Sequence, residues 1–495
     1  MKKLILFITA LITFKSANAQ INPFNARDSV KITGKIIGYN PNQTDHFISF
    51  STYDLFGKST SQAVQIEDDG NFWIKLYQPY EGDIQLNYKD AFVNVYTKPN
   101  NILNLEIYDA QVNNESAYDE AFVATGALAA INNLIFKFQT AYNKYTLHSK
   151  VDMSDKNQTD SAFAVSVINQ LNEQLGFFNN FVRQNSIIDQ KFIQWQRSRF
   201  LYEAGQRILF FPFLGKYNTE ITQKQLLQMM STIPINNQDA LNCSSYYAFL
   251  NSLASAQQIM ININPMYDAI KTKTGKNTMG ICLDEIDKFA TGITKELQYL
   301  SAFLQGAGSN SDPMPYSDRF KKVISNPLLN QQINEEQNPR PKAFSEFSVV
   351  DRLKALKVKP ILKERLINMF SQYNGISLYI DFWGDWCGPC MSELPIYPSL
   401  MSALEGKPIK FLFLSAFTTE ESMLAIKKKF KIDGDFVNLS KDEVNLMNNV
   451  FEFHSYPSHF LVNAKGWAIG RLSKTALSNV QQKAEEIATL LKEIE

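Results

Sequence analysis

Cysteine is scarce, with four among 495 residues. So few thiols in so long a chain cannot form the disulfide framework that holds a small fold together, and each has to be argued singly. Excess charge is absent too, because Lys+Arg and Asp+Glu balance at 49 each. That removes the electrostatic case for nucleic acid or an anionic membrane surface as a partner. Past the first twenty residues no run approaches the ~18 unbroken apolar residues of a spanning helix. The nearest, ILFFPFLG at 208–215, is short and contains Pro212. No repeat of fixed period is present.

What is there begins with a leader pattern. MKKLILFITALITFKSANAQ carries Lys2 and Lys3, an apolar run from Leu4 to Phe14, and the small-residue triplet Ala17, Asn18, Ala19. The run is about half of the ~20 residues that an anchor needs, and Lys15 interrupts it. Residues 1–19 are therefore expected to be a signal peptide cleaved after Ala19, with no cysteine behind the cut to take a lipid. The mature chain is expected in the periplasm, with no transmembrane segment. Its length and its 45% hydrophobic content suggest about three globular units.

The expected architecture is multidomain. Residues 20–112 show period two: VKITGKIIGY alternates, FWIKLY places Phe72, Ile74 and Leu76 on one face, and Asp69-Gly70 supplies a turn before it. About six or seven such runs predict an N-terminal β-sandwich without catalytic groups. Residues 113–308 change to helical spacing, as in SVINQLNEQLGFFNNFVRQ with Val167, Leu171, Leu175 and Phe178, and predict a central all-α domain. Its Met and aromatic residues fit ordinary helix core better than a peptide groove. The polar, Pro-bearing segment 309–342 reads as a linker containing at most a short helix. An α/β domain is expected over 343–495.

The chemistry sits in DFWGDWCGPC, Asp381 to Cys390. ISLYIDF before it is β-rich, and MSELPIYPSLMSALEG after it has helical spacing. Cys387 is thus placed at a strand-to-helix turn, where unsatisfied backbone N–H groups favour a thiolate. Cys390, one turn on, can reach back and release a mixed disulfide formed by Cys387. A CxxC alone also suits zinc or haem. Zinc needs two further ligands, and this region offers only His454 and His459; c-type haem needs a histidine where Met391 stands. No metal and no cofactor are expected. His454 reads as a solvated loop residue and His459 as a packed one. Cys243 and Cys282, in separate helical stretches, suit either a structural bridge or two buried free thiols.

DFWGDWCGPC resembles the active site of thioredoxin, and residues 345–495 resemble the TlpA/ResA-like thiol-disulfide oxidoreductases of that superfamily. Glu393-Leu394-Pro395 matches the CxxExP pattern of that branch, and Pro395 the proline that kinks its active-site helix. Pro457 in SYPSHFLVNAKGWAIGR stands where the family has its cis-proline. The following order also fits: the strand KFLFLS, helices opened by Thr418-Thr419-Glu420-Glu421 and by Ser440-Lys441-Asp442-Glu443, and a last helix after Ser478. The segment from Lys342 to Lys359 departs from the pattern.

The resemblance implies roles. Cys387 attacks, and Cys390 resolves. Asp381 corresponds to the family's buried acid and would take the proton of Cys390, with Glu393 a second candidate. Trp386, Gly388 and Pro389 shape the exposed turn, and the backbone of Tyr456, before Pro457, pairs with an extended substrate strand. Expected partners are protein or peptide disulfides and a membrane-borne thiol electron donor, since Gly-Pro between the cysteines resembles thioredoxin, a reductant. An oxidase or isomerase with the same residues, or a binding or assembly protein regulated by its redox domain, are the alternatives. Gly384, three before Cys387, argues against a peroxidase of the related peroxiredoxin group, which carries Thr or Ser there.

Overall fold

The computed structural model describes residues 24, 29–57, 59–149, 151–152, 158–213, 218–306, 311–337, 346–453, 455–472 and 480–492. The expected signal peptide, His454 and both ends of the 309–342 segment lie outside them. No helix among the described residues is long and apolar enough to cross a membrane.

The alternating N-terminal runs form β1 (Ser29–Ile37), β2 (Phe47–Tyr53), β3 (Ser59–Gln65), β4 (Asn71–Tyr77), β5 (Gly82–Tyr88), β6 (Ala91–Thr97) and β7 (Ile102–Tyr108). In β4, Phe72, Ile74 and Leu76 point inward, while Trp73 between them is 58% exposed. Gly70 supplies the positive φ of the turn that leads in. The strands make two four-stranded sheets, β4-β1-β7-β8 and β3-β2-β5-β6. The fourth strand of the first sheet, β8 (Phe122–Thr125), pairs antiparallel with β7 and lies past residue 112. The central region is therefore not wholly helical: β8 completes a sheet begun in the preceding one.

Long helices follow, among them Asp160–Gln184, Gln190–Phe210 and Ser244–Ile263. Thr159 caps the first by accepting from the N–H of Ala162, and Phe163, Val167, Leu171 and Phe178 form its buried stripe. The segment read as a linker is also built differently. It holds the helices Ser317–Val323 and Pro327–Gln337, whose Phe320, Leu329 and Ile333 are buried. Polar side chains fix it in place. The Glu296 carboxylate accepts from the N–H groups of Ser325 and Asn326, and Arg319 pairs with Asp284 and Asp287. Pro313 and Pro315 stand at the 3-10 turn Met314–Tyr316 and Pro327 opens the second helix, but buried apolar residues decide the packing. Strands, helices and this segment share one apolar cluster running from Phe24 to Ile333.

The C-terminal unit is a six-stranded sheet in the order β12-β11-β10-β13-β14-β9. Its strands are β9 (Phe347–Ser348), β10 (Ser377–Trp383), β11 (Ile409–Ala416), β12 (Asp435–Leu439), β13 (Ser458–Val462) and β14 (Trp467–Arg471). β10, β11 and β12 run parallel, and β13 pairs antiparallel with β10. The helix starts match the capping residues: Thr419 accepts from Ser422, and Ser440 with Glu443 forms a full capping box. Separate apolar clusters cover the two faces of the sheet.

The N-terminal part touches this unit through β2 and β3. Phe47, 4% exposed, joins the cluster on one face of the C-terminal sheet, and Ala63 packs beside it. Next to Phe47, the N–H of His46 donates to Asp442 at 3.2 Å, and its Nδ1 lies 2.9 Å from the same carboxylate. Asp442 opens the Lys441–Phe451 helix, where a carboxylate also meets the positive end of the helix dipole. Phe47→Ala removes the apolar anchor of this contact. We expect a loss of about 3 kcal/mol, read by calorimetry as the C-terminal unit melting earlier and apart from the rest.

Candidate redox site

β10 is buried along its whole length, and its period of two sorts side chains between the two clusters. Leu378, Ile380 and Phe382 enter one; Tyr379 and Trp383 enter the other, together with Cys387 and Cys390. Asp381 lies on the cysteine face by the same alternation. The loop after β10 is tightly braced. A Cβ on Gly384 would sit 2.4 Å from Trp386 Nε1 and 2.9 Å from the Ala416 carbonyl oxygen, so no side chain fits there. That space is used by Trp386 Nε1, which donates to the Ala416 carbonyl at 2.9 Å. Asp385 accepts from the hydroxyls of Thr418 and Ser422.

Cys387 is the N-cap of the Gly388–Glu393 helix, and its Sγ accepts the N–H of Cys390 at 3.2 Å. The two cysteines are joined as a disulfide with Cα atoms 5.2 Å apart. Three residues on, the helix passes into a 3-10 turn at Leu394–Ile396 that contains Pro395, then resumes as Tyr397–Ala403. The thiol pair is less open than the sequence implied. Trp386 is 55% exposed, and Gly388 and Pro389 face solvent, but Cys387 is only 5% exposed.

A polar cluster occupies the same face. Tyr397 Oη donates to Asp381 Oδ2 at 2.7 Å. His459, the cross-strand partner of Asp381 on β13, puts Nε2 3.3 Å from Asp381 Oδ1, 3.2 Å from Glu393 Oε2 and 3.3 Å from Tyr397 Oη. The two carboxylate contacts are ion-pair approaches, since neither oxygen receives an aligned hydrogen bond. Burial opposes a charge on the imidazole. Asp381, and after it Glu393, outweighs burial and raises the ring from its ordinary 6.5 to about 9. Tyr397 is pushed well above its usual range, by burial first and then by the Asp381 charge.

Beside this cluster opens a cleft of about 260 Å³, lined by Pro389, Glu393, Tyr456, Pro457, His459 and Arg471. The Tyr456–Pro457 peptide is cis. The Tyr456 ring meets Trp386 edge-on at 5.3 Å between centroids. The structure thus gathers the singled-out residues at one place: Cys387, Cys390, Trp386, Gly388 and Pro389 on the turn, Asp381 and Glu393 in the cluster, Tyr456 and Pro457 across the cleft.

The known proteins named below match about a fifth to a quarter of the chain. ResA, a thiol-disulfide oxidoreductase of Geobacillus kaustophilus, is 25% identical over 96 residues, which are 19% of this chain and 53% of that protein. Sporulation thiol-disulfide oxidoreductase A of Bacillus subtilis is 24% identical over 92 residues, 19% of this chain and 56% of its own. Over these residues the chain is similar to the ResA-type thiol-disulfide oxidoreductases. The chain spans about half the length of these relatives. Among solved structures, the thioredoxin domain of a Bacteroides vulgatus thiol-disulfide oxidoreductase is 21% identical, with a TM-score of 0.22 over 23% of this chain and 81% of that one. No protein-family model matches the chain.

Two residues of the thioredoxin-like site were missed by sequence reasoning. Tyr397 lay unremarked in the helical stretch after the cysteines, and His459 read as a packed strand residue. The available signal was pairing: once the strand after Pro457 lies against β10, His459 falls opposite Asp381, and a buried acid needs a donor. The other two cysteines are unbridged. Cys243 and Cys282 are both buried free thiols, and burial pushes each upward, Cys282 to about 12.

The raised His459 gives a pH dependence with a definite sign. Its stabilising charge is fully present below the unfolded value near 6.5 and is lost as pH rises through about 9. Between pH 6.5 and 10 the thioredoxin-like domain is therefore expected to lose on the order of 3 kcal/mol of stability. Urea unfolding followed across this range should show the loss in the natural protein and not in His459→Gln.

Proposed function

We propose that this protein is a thiol-disulfide oxidoreductase exported to the periplasm, where it reduces disulfides in proteins or peptides. The observation that carries the reading is the placement of Cys387. Its sulfur caps a helix and accepts a backbone N–H, with Cys390 one turn on and a cleft beside the pair for an extended chain. The similarity to proteins named thiol-disulfide oxidoreductases supports it.

The cycle uses only groups in this site. As a thiolate, Cys387 attacks one sulfur of a substrate disulfide, and the other substrate sulfur leaves as a thiolate. Cys390 then gives its proton to a carboxylate and attacks Cys387 Sγ. The bond to the substrate breaks, its second sulfur leaves, and two electrons have passed to the substrate. Glu393, three residues after Cys390 on one helix, and Asp381, on the cysteine face of β10, are the acids available for that proton. The oxidised pair needs a reductant outside the cytoplasm, and a membrane-borne dithiol has the required chemistry. The aromatic surface of Trp386 and Tyr456 is suited to hold the substrate chain against the backbone before Pro457.

The reduction potential of the Cys387–Cys390 pair decides the direction. Equilibrated against glutathione, with Cys387→Ser as the blank, it is expected near -270 mV, that of a reductant. A value near -120 mV would make the protein a disulfide-forming catalyst instead. Cys390→Ser is expected to accumulate the mixed disulfide on Cys387, visible by mass spectrometry as an adduct released by dithiothreitol.

A further inference from the structure

The CxxC chemistry leaves one buried group unused, the imidazole of His459. We propose that His459 is a positioning residue for the thiol pair: set between Asp381 and Glu393, it offsets part of their charge and passes the proton released by Cys390 from the inner acid to the outer one. The proposal deepens the redox reading above and rests on it.

The geometry supports a relay. One nitrogen, Nε2, faces Asp381 Oδ1 at 3.3 Å and Glu393 Oε2 at 3.2 Å. That nitrogen carries one proton and lies within reach of both acceptors. Once Nε2 has given its proton to Glu393, the neutral nitrogen can take the one held by Asp381, and the ring need not turn over. Exposure sets the direction: the side chains of Asp381, His459 and Glu393 are 3%, 7% and 17% exposed in that order, and Glu393 and His459 both line the cleft. The ring is held firmly, because β13 lies between β10 and β14, and the His459 carbonyl accepts the N–H of Leu472 at 3.0 Å.

Charge balance explains why the fold tolerates both acids. Two carboxylates on either side of one site repel each other, and burial raises the cost; an imidazolium between them offsets both effects. Of the charged and titratable groups around the ring, Asp381 and Glu393 favour its charge. Asp381 and Tyr379 face it from β10, Glu393 and Tyr397 from the helical segment after the cysteines, and Arg471 from β14, where it donates to Ser458 Oγ at 3.1 Å. The Lys483–Glu486 pair of the last helix stands one layer out, behind Tyr379. The ring, raised to about 9, keeps its charge at neutral pH.

The test is the pH profile of Cys387 alkylation by iodoacetamide in the reduced full-length protein, read on the Cys387 peptide by mass spectrometry. With His459→Gln, which keeps a donor but removes the charge, thiol and carboxylates compete for a proton that the imidazolium had fixed. The inflection is expected to move to higher pH by about one unit and to broaden. The double variant His459→Gln/Glu393→Gln restores the balance of charge and is expected to move it back. An unchanged profile in the single variant, or a double variant that stays with it, overturns the proposal. Should the variants fail to fold, the imidazole titration of His459 in the natural protein decides: NMR should find the ring still protonated at pH 8, and titration near 6.5 overturns the idea. If the protein reduces no disulfide, the functional reading fails, yet these titrations still report on His459.

Discussion

Two carboxylates, Asp381 and Glu393, lie partly or wholly inside the thioredoxin-like domain, and a buried charge without a partner is among the largest penalties a fold can carry. The ring of His459 between them meets that constraint. Much of the local architecture is arranged around it. β13 must lie antiparallel to β10 in the register that sets His459 opposite Asp381, since a slip of one residue would turn the imidazole to the other face of the sheet. The Gly388–Glu393 helix must begin at Cys387 for its last residue, Glu393, to reach the ring. Cysteine placement and acid placement are thus one geometric problem, solved by the same strand pair and the same short helix.

That coupling also explains what could be read from the sequence and what could not. Local rules were enough for β10, for the turn at Cys387, and for the helix starts at Thr419 and Ser440, because each depends on residues close together in the chain; the kink at Pro395 came from the family resemblance. The role of His459 depends on groups 78 and 62 positions away, Asp381 and Tyr397. A histidine in an apolar strand has the same local signature whether it is merely packed or is holding two acids. Only the pairing of strands separates the two cases.

The N-terminal residues illustrate the same limit at larger scale. Alternation located the strands, and three-and-four spacing located the helix from Asp160 to Gln184, but neither pattern says which neighbour buries an apolar face. β8 lies beyond the expected sandwich boundary because β7 needs a partner on its open edge. Phe320, Leu329 and Ile333 turn a Pro- and Asn-bearing stretch into packed structure because the helical cluster beside it still has surface to cover. Phe47 is the sharpest case: nothing in β2 distinguishes it from its neighbours, yet it is buried in the core of a different unit.

The side on which that contact falls constrains what the N-terminal residues can do. Phe47 and Ala63 pack into the apolar cluster on one face of the C-terminal sheet, while Cys387 and Cys390 belong to the cluster on the other. His46 adds to the same attachment at the start of the Lys441–Phe451 helix. Trp386, Gly388 and Pro389 accordingly keep their exposure. This attachment, through β2 and β3, lies on the face opposite the disulfide. The contact also fixes β2 and β3 against the sheet that carries Asp381 and His459.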